Sequence, residues 1–244
     1  AAPPHAAPMK LSQILFSQGF GPRRECEGRI LDGQVQINGS VHDDPDEDIP
    51  PEGLELDIQG RRWPYHAKAL VMLHKPAGYE CSMKPKHHPG VMSLLPLPLR
   101  VRGLQPVGRL DEDTTGLLLL TDDGPLIHRL TSPKHHVPKV YDVGCKHPVT
   151  DSQIQKLLQG VVLDDDPKPV RAEGVERSSE NSLRLTLIQG KYHQVKRMLA
   201  AVGNRVESLH RSRFGPLELT DTLPSGQWLW LDVGMSWASR SPSP

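Results

Sequence analysis

The stretch that decides the fold is Gly108-Arg109-Leu110-Asp111-Glu112-Asp113-Thr114-Thr115-Gly116-Leu117-Leu118-Leu119-Leu120-Thr121. It reads as the end of one strand (Pro106 to Leu110), a polar turn, and a second strand (Gly116 to Thr121) with an apolar run of core character. No helix fits between the two strands. Outward from it, Leu70 to Leu73 reads as a buried strand, and Val140 to Cys145, Ser182 to Ile188 and Arg205 to Leu209 as further strands. Helices are expected at Pro125 to Leu130, Asp151 to Gln159 and His193 to Ala201, the second opened by a Thr150/Gln153 capping box. Strands that follow one another without a helix predict an α+β fold with a mostly antiparallel or mixed central sheet and flanking helices, not a doubly wound one.

Upstream of this block the pattern changes. Leu11, Ile14, Leu15 and Phe16 keep helical spacing and Gly19 is a stop, while Pro22 begins a second helix that runs to Gly33. Val35 and Ile37, the Asn38-Gly39 turn, and Leu54, Leu56 and Ile58 read as short strands with a hairpin. Residues 9–60 therefore form a small α/β module, 61–67 a linker, and 68–234 the main domain. Residues 1–8 and 235–244 read as disordered tails.

The 244 residues contain 36% hydrophobic and 24% charged side chains, the balance of a globular chain. The longest apolar run, Leu117 to Leu120, is far short of the roughly 18 residues of a spanning helix, so membrane insertion is not expected. Cys26, Cys81 and Cys145 are too scattered for a disulfide framework or a zinc site and point to the reducing cytoplasm. Net charge is zero but unevenly spread. Residues 10–60 carry four cations against eleven acids, a net of −7, whereas 184–213 carry seven cations against one acid and form the candidate polyanion surface. Arg23 and Arg24 at the start of the second helix oppose its dipole, an arrangement that suits an external phosphate.

For chemistry, the polar turn stands out. Arg109 and Asp111 share a face if the strand continues, and the Thr114 and Thr115 hydroxyls could orient an ionised Asp111 as a nucleophile. The competing readings are a solvated acidic turn capped by threonines, or a divalent metal on Asp111, Glu112 and Asp113. Lys75 could enter a cleft or end its strand at the surface. Tyr141 could offer its ring to a base or belong to the core. In Lys191 to Leu199, Val195, Met198 and Leu199 make a buried stripe, leaving Lys196 or Arg197 to approach a carboxylate or to face solvent. His87-His88 and His135-His136 lack the spacing of a metal site, and no metal is expected. No phosphate loop or dinucleotide fingerprint occurs.

Taken together, Leu73-His74-Lys75-Pro76-Ala77-Gly78, Gly108 through Asp123, Lys139-Val140-Tyr141 and Gly190 through Arg211 resemble the ordered motifs of the RsuA-type ribosomal RNA pseudouridine synthases. The resemblance runs from Lys10 to about Leu231, because residues 10–57 are similar to the S4 RNA-binding module that precedes the catalytic domain in that family. Thr114-Thr115-Gly116 and Thr131 to His136 are most similar to the enzyme acting on small-subunit (16S) RNA. The resemblance implies that Asp111 is the catalytic aspartate and that the target base is flipped out against Tyr141. Lys196 matches the basic partner of the aspartate, at a position where many relatives have arginine. Leu209 matches an apolar residue beside the base, and Arg109 a loop-ordering or phosphate-binding arginine. Arg23, Arg24, Lys75, Lys139, His193, Arg197 and Arg211 are expected at the RNA. No cofactor is implied. The implied partner is ribosomal RNA or a small-subunit assembly intermediate, met by a cytoplasmic monomer. A non-catalytic RNA-binding assembly protein of the same fold, a synthase of large-subunit RNA and a metal-dependent phosphoesterase are the alternatives.

Overall fold

Leu117, Leu118, Leu119 and Leu120 are all fully buried, as on a strand covered on both faces. In the computed structural model, which describes residues 7–232, 234, 235 and 237, this strand lies inside the larger of two compact units. The tails expected at 1–8 and 235–244 fall mostly outside the described residues.

The smaller unit comprises residues 1–69 and 95–104. It begins with β1 (Met9–Lys10), α1 (Leu11–Ser17) and α2 (Arg23–Leu31), which bury Leu11, Ile14, Leu15, Cys26 and Ile30. Phe16, counted with the apolar stripe, is instead exposed, with the Arg23 guanidinium 5.0 Å from its ring centroid. There follow β2 (Val35–Ile37), β3 (Ser40–Val41), β4 (Asp48–Ile49), β5 (Glu55–Ile58) and β6 (Arg61–Pro64), with α3 (Leu97–Val101) later in the chain. The sheet order is β3-β2-β5-β6, and β1 pairs with β4. Asn38 and Gly39, both at positive φ, close the expected hairpin between β2 and β3.

The larger unit comprises residues 70–94 and 105–244. Its strands are β7 (Leu70–Lys75), β8 (Gln105–Pro106), β9 (Thr115–Thr121), β10 (Lys139–Cys145), β11 (Val161–Leu163), β12 (Asp166–Val170), β13 (Gly174–Ser179), β14 (Ser182–Leu187), β15 (Val206–Phe214), β16 (Leu217–Glu218) and β17 (Trp228–Trp230). Its helices are α4 (Gly124–Thr131), α5 (Asp151–Gln159) and α6 (Gln194–Ala201). Among the described residues the main sheet has nine strands, ordered β13-β14-β10-β15-β9-β7-β17, with β16 beside β15 and β8 beside β9. Every pairing in it is antiparallel except β9 with β15, so the sheet is mixed, as the uninterrupted strands predict. Leu157 of α5 and Met198 and Leu199 of α6 pack with Leu183, Leu185 and Leu187 of β14 in one apolar cluster. Leu126 and Leu130 of α4 pack with Leu70, Leu117 and Leu119 in another. Truncating one of these leucines to alanine costs about 2–5 kcal/mol.

Gly116 makes the parallel β9–β15 pairing possible. It sits at φ +117°, and any Cβ there would run into the Arg211 backbone. The Thr150/Gln153 capping box on α5 is present as expected.

Two expectations need correction, and one segment without an expectation is structured. Arg61–Pro64, read as linker because of Pro64, is an edge strand whose Trp63 is buried, and a proline is tolerated at such an edge. The strand expected over Pro106 to Leu110 stops at Pro106, because Gly108 turns at φ +72° and takes the following residues off the sheet. Residues 161–179 hold the β11–β12 hairpin and the edge strand β13, whose exposed polar residues hide the apolar period.

Candidate active site

The site is built on the turn between Leu110 and β9. Thr114 N donates to Asp111 O at 3.0 Å, closing the turn, and Gly78 N donates to Glu112 O at 3.0 Å. Lys75, the last residue of β7, is fully buried under it. Its ammonium donates to the carbonyls of Pro76 (3.0 Å), Glu112 (2.9 Å) and Thr114 (2.7 Å). Burial pushes the Lys75 pKa down, and Cys81 and the nearby acids pull the other way. All three ammonium protons are used, so Lys75 has none left for phosphate; its expected place at the RNA is corrected to that of a post beneath the turn.

Asp111 is the carboxylate this post presents. Its Oδ1 lies 3.1 Å from His193 Nε2 and its Oδ2 3.1 Å from Lys196 Nζ. The same ammonium reaches Asp113 Oδ1 at 2.9 Å. Lys196 is the third residue of α6, where a cation opposes the helix dipole, and the two carboxylates offset that cost. Burial works against the ammonium, but the hydrogen bonds to Asp113 and Asp111 outweigh it and raise its pKa. The Lys196 hydrogen bond holds the Asp113 carboxyl below its usual range. The threonines do not orient Asp111. Thr115 Oγ1 lies 2.7 Å from His210 Nδ1, and the buried Thr114 Oγ1 has no hydrogen-bond partner among the described residues. Lys196 joins Asp111 and Asp113, and no group of three or more His, Cys, Asp or Glu arranged to hold a metal ion occurs among the described residues.

His193, expected at the RNA, lies against Asp111. It precedes α6 in the left-handed region, φ 47° and ψ 36°, which aims its ring back over the turn. No helical spacing signals this contact, because His193 stands outside α6 in a left-handed conformation.

Beside Asp111 opens a cavity of about 360 Å³, roughly the size of small-ligand sites. Arg109, Asp111, Tyr141, Lys196, Leu209 and Arg211 all line it, as do Lys139 and His193. Tyr141 and Lys139 project to the same face of β10, and Leu209 and Arg211 to the same face of β15. Arg109 is exposed at this cavity. Arg197 is not among its lining residues. It pairs with Asp165, and its Nη1 donates to Tyr192 O at 2.9 Å.

The basic stretch 184–213 is more neutralised than its composition implied. Arg184 pairs with Asp142 at 3.1 Å, Lys191 with Asp166 at 2.8 Å, and Arg213 with Glu218 at 3.2 Å. The acids come from β10, from the β11–β12 hairpin and from β16, all remote in sequence or uncounted in that window. Arg211, expected at the RNA surface, is only 3% exposed and lies within the cavity wall.

A family model of RNA pseudouridylate synthases matches residues 69–201, the segment that carries the turn, Tyr141 and α6. The chain belongs to this family. An S4 domain model matches residues 9–53. The ribosomal small subunit pseudouridine synthase A of Yersinia pestis is 40% identical over 228 residues, covering 90% of this chain and 93% of that protein. The protein of the same name from Escherichia coli K12 is 38% identical over 227 residues, covering 90% and 95%. A solved pseudouridylate synthase structure superposes with a TM-score of 0.64 at 34% identity, over 92% of this chain and 96% of that one. The synthase assignment confirms the enzymatic reading over a purely RNA-binding protein and over a phosphoesterase.

Proposed function

We propose that this synthase converts a uridine of small-subunit ribosomal RNA to pseudouridine, with Asp111 as the attacking carboxylate. The observation that carries it is Asp111 held between His193 and Lys196 at the edge of a base-sized cavity walled by Tyr141 and Leu209. The relatives named for small-subunit RNA, similar over nine-tenths of the chain, support the choice of RNA. A uridine stacked in RNA hides the atoms concerned, so the nucleotide turns out of its stack and its ring lies on Tyr141 against Leu209. The bond from N1 to C1′ breaks, the bond from C5 to C1′ forms, N1 gains a proton and C5 loses one. Electrons balance within the nucleotide, and the reaction draws on no oxidant or reductant.

Arg109, exposed at the cavity, takes a phosphate beside the extruded nucleotide in this reading. Arg23 and Arg24 of the S4 module supply a second contact, by the same reading. Action as a monomer is part of the same reading. The need to extrude a base favours RNA of an assembly intermediate, in the cytoplasm, over a finished subunit.

The test is direct. Purified protein incubated with 16S ribosomal RNA transcript should create one new pseudouridine detectable by chemical mapping, and Asp111→Asn should create none while melting like the wild type. Turnover by the asparagine variant would remove Asp111 from the reaction. Modification of 23S but not 16S transcript would overturn the substrate.

A further inference from the structure

Two cations in the cavity wall stand without a carboxylate. Lys139 opens β10, and Arg211 lies on β15 directly opposite Tyr141. Arg211 Nε donates to Leu117 O at 2.9 Å, but its Nη2 is buried and has no hydrogen-bond partner among the described residues. Its guanidinium carbon is 5.1 Å from the Phe214 ring centroid. Lys139 Nζ is 5.6 Å from the same centroid and makes one long contact, 3.4 Å, to Ile188 O. Neither cation forms an ion pair among the described residues, whereas Lys191, Lys196, Arg197 and Arg213 each have an acid. Burial first, and Arg211 second, push the Lys139 pKa down to about 8.

Burying cations without partners is costly, and a free guanidinium N–H in a cavity wall is a donor waiting for an acceptor. Both side chains only donate. Whatever meets them must therefore accept hydrogen bonds, and it is favoured further if it gains negative charge. Uracil presents two such atoms, O2 and O4. If Asp111 attacks C1′, the electron pair of the broken N1–C1′ bond passes to the base and spreads over N1, O2 and O4. If it attacks C6, the pair of the C5–C6 double bond moves toward C5 and O4 as an enolate. Either route charges the carbonyl edge. A backbone phosphate, by contrast, stays with the chain near the exposed Arg109.

We propose that Lys139 and Arg211 form a donor-only subsite for the carbonyl edge of the extruded uracil, and that they stabilise the negative charge this edge acquires when Asp111 attacks. The inference rests on the synthase reading above. The same subsite should disfavour cytosine, whose exocyclic amino group would set a donor against a donor at position 4.

The experiment follows release of tritium from C5-labelled uridine in 16S transcripts, using the full chain. Wild-type release establishes the reaction itself; its failure would refute the synthase reading and not the subsite. Given wild-type turnover, Lys139→Met should lower kcat at least tenfold with RNA affinity and its salt dependence unchanged. Arg211→Lys, which keeps a buried cation, should lower kcat while melting as a folded protein. Transcripts carrying 4-thiouridine or 2-thiouridine present sulfur, a poorer acceptor, at one carbonyl position. At least one of them should slow the wild type tenfold yet slow Lys139→Met less than twofold. Equal sulfur effects in both proteins overturn the proposal. So does a methionine variant that keeps kcat and loses RNA affinity with a salt slope smaller by about 0.7, because the lysine would then hold a phosphate.

Discussion

Lys196 Nζ lies 3.1 Å from Asp111 Oδ2, and this contact, made across 85 residues of chain, ties the first turn of α6 to the turn before β9. One ammonium also serves Asp113, so a single point charge bridges two carboxylates of one turn. An arginine fork would grip one carboxylate in two bonds, whereas the three-donor ammonium can divide itself between two.

Removing that bridge should matter more than replacing it. Lys196→Ala leaves Asp111 and Asp113 facing each other with only His193 nearby and should lower turnover by about 100-fold, in the range of a lost electrostatic partner. Lys196→Arg should retain most activity. The Asp113 carboxyl should titrate higher in the alanine variant, because it loses the hydrogen bond that holds its pKa down, and an NMR titration of that carboxyl reads the change. Single-turnover rates at pH 7 check the activities; equal rates in the two variants would dissociate Lys196 from Asp111.

Lys75 should behave as a structural post. Lys75→Met removes three charge-assisted bonds and takes from the buried Thr114 carbonyl its ammonium donor, at about 1–3 kcal/mol, whereas Glu112 O keeps the Gly78 N–H. Urea unfolding should show that loss of stability, and turnover should fall because the Asp111 turn is no longer held. RNA affinity should be kept, which separates this role from phosphate contact.

Lys139 gives a pH signature of the opposite sign to an ordinary ion pair. Its folded pKa of about 8 lies below its ordinary value, so the native state binds fewer protons than the unfolded state between those two points. Stability contributed by this group therefore rises with pH from about 8 to about 10.4 and is least below 8, where the charged amine is buried. Lys139→Met should be more stable than the wild type at pH 7, with that rise abolished. Denaturation midpoints at pH 7, 8.5 and 10 are the measurement. A less stable methionine variant at pH 7 would show that the buried charge is not a cost to the fold.

Arg23 and Arg24, both exposed at the start of α2, should contribute to RNA affinity despite the module's net charge of −7. Arg23→Ala with Arg24→Ala should raise the RNA dissociation constant and reduce the slope of log affinity against log salt by about 0.7–0.9 for each cation in contact. An unchanged slope would mean that the S4 module meets RNA by some other face.

Much of this was written locally. The apolar run Leu117–Leu120, the Asn38-Gly39 hairpin, the Thr150/Gln153 capping box and the buried stripe of Val195, Met198 and Leu199 each follow from turn chemistry or a period of two or 3.6 residues. The turn at Asp111 was legible because polar residues there interrupt two core segments, and family resemblance supplied its role.

What the chain alone determined, then, is its short-range grammar: element types, the two-unit order and the polar turn that carries Asp111. Tertiary structure decided the fate of each charge. Lys75 became a buried post, His193 and Lys196 became partners of Asp111, Lys191 and Arg197 were neutralised by Asp166 and Asp165, and Lys139 and Arg211, without an acid among the described residues, came to line a cavity. The reason is physical. Periodicity and capping act over a few residues, whereas burial and ion pairing depend on which strands meet, and β9 meets β15 only after about 90 intervening residues have folded back beside it, where Gly116 lets the backbones approach.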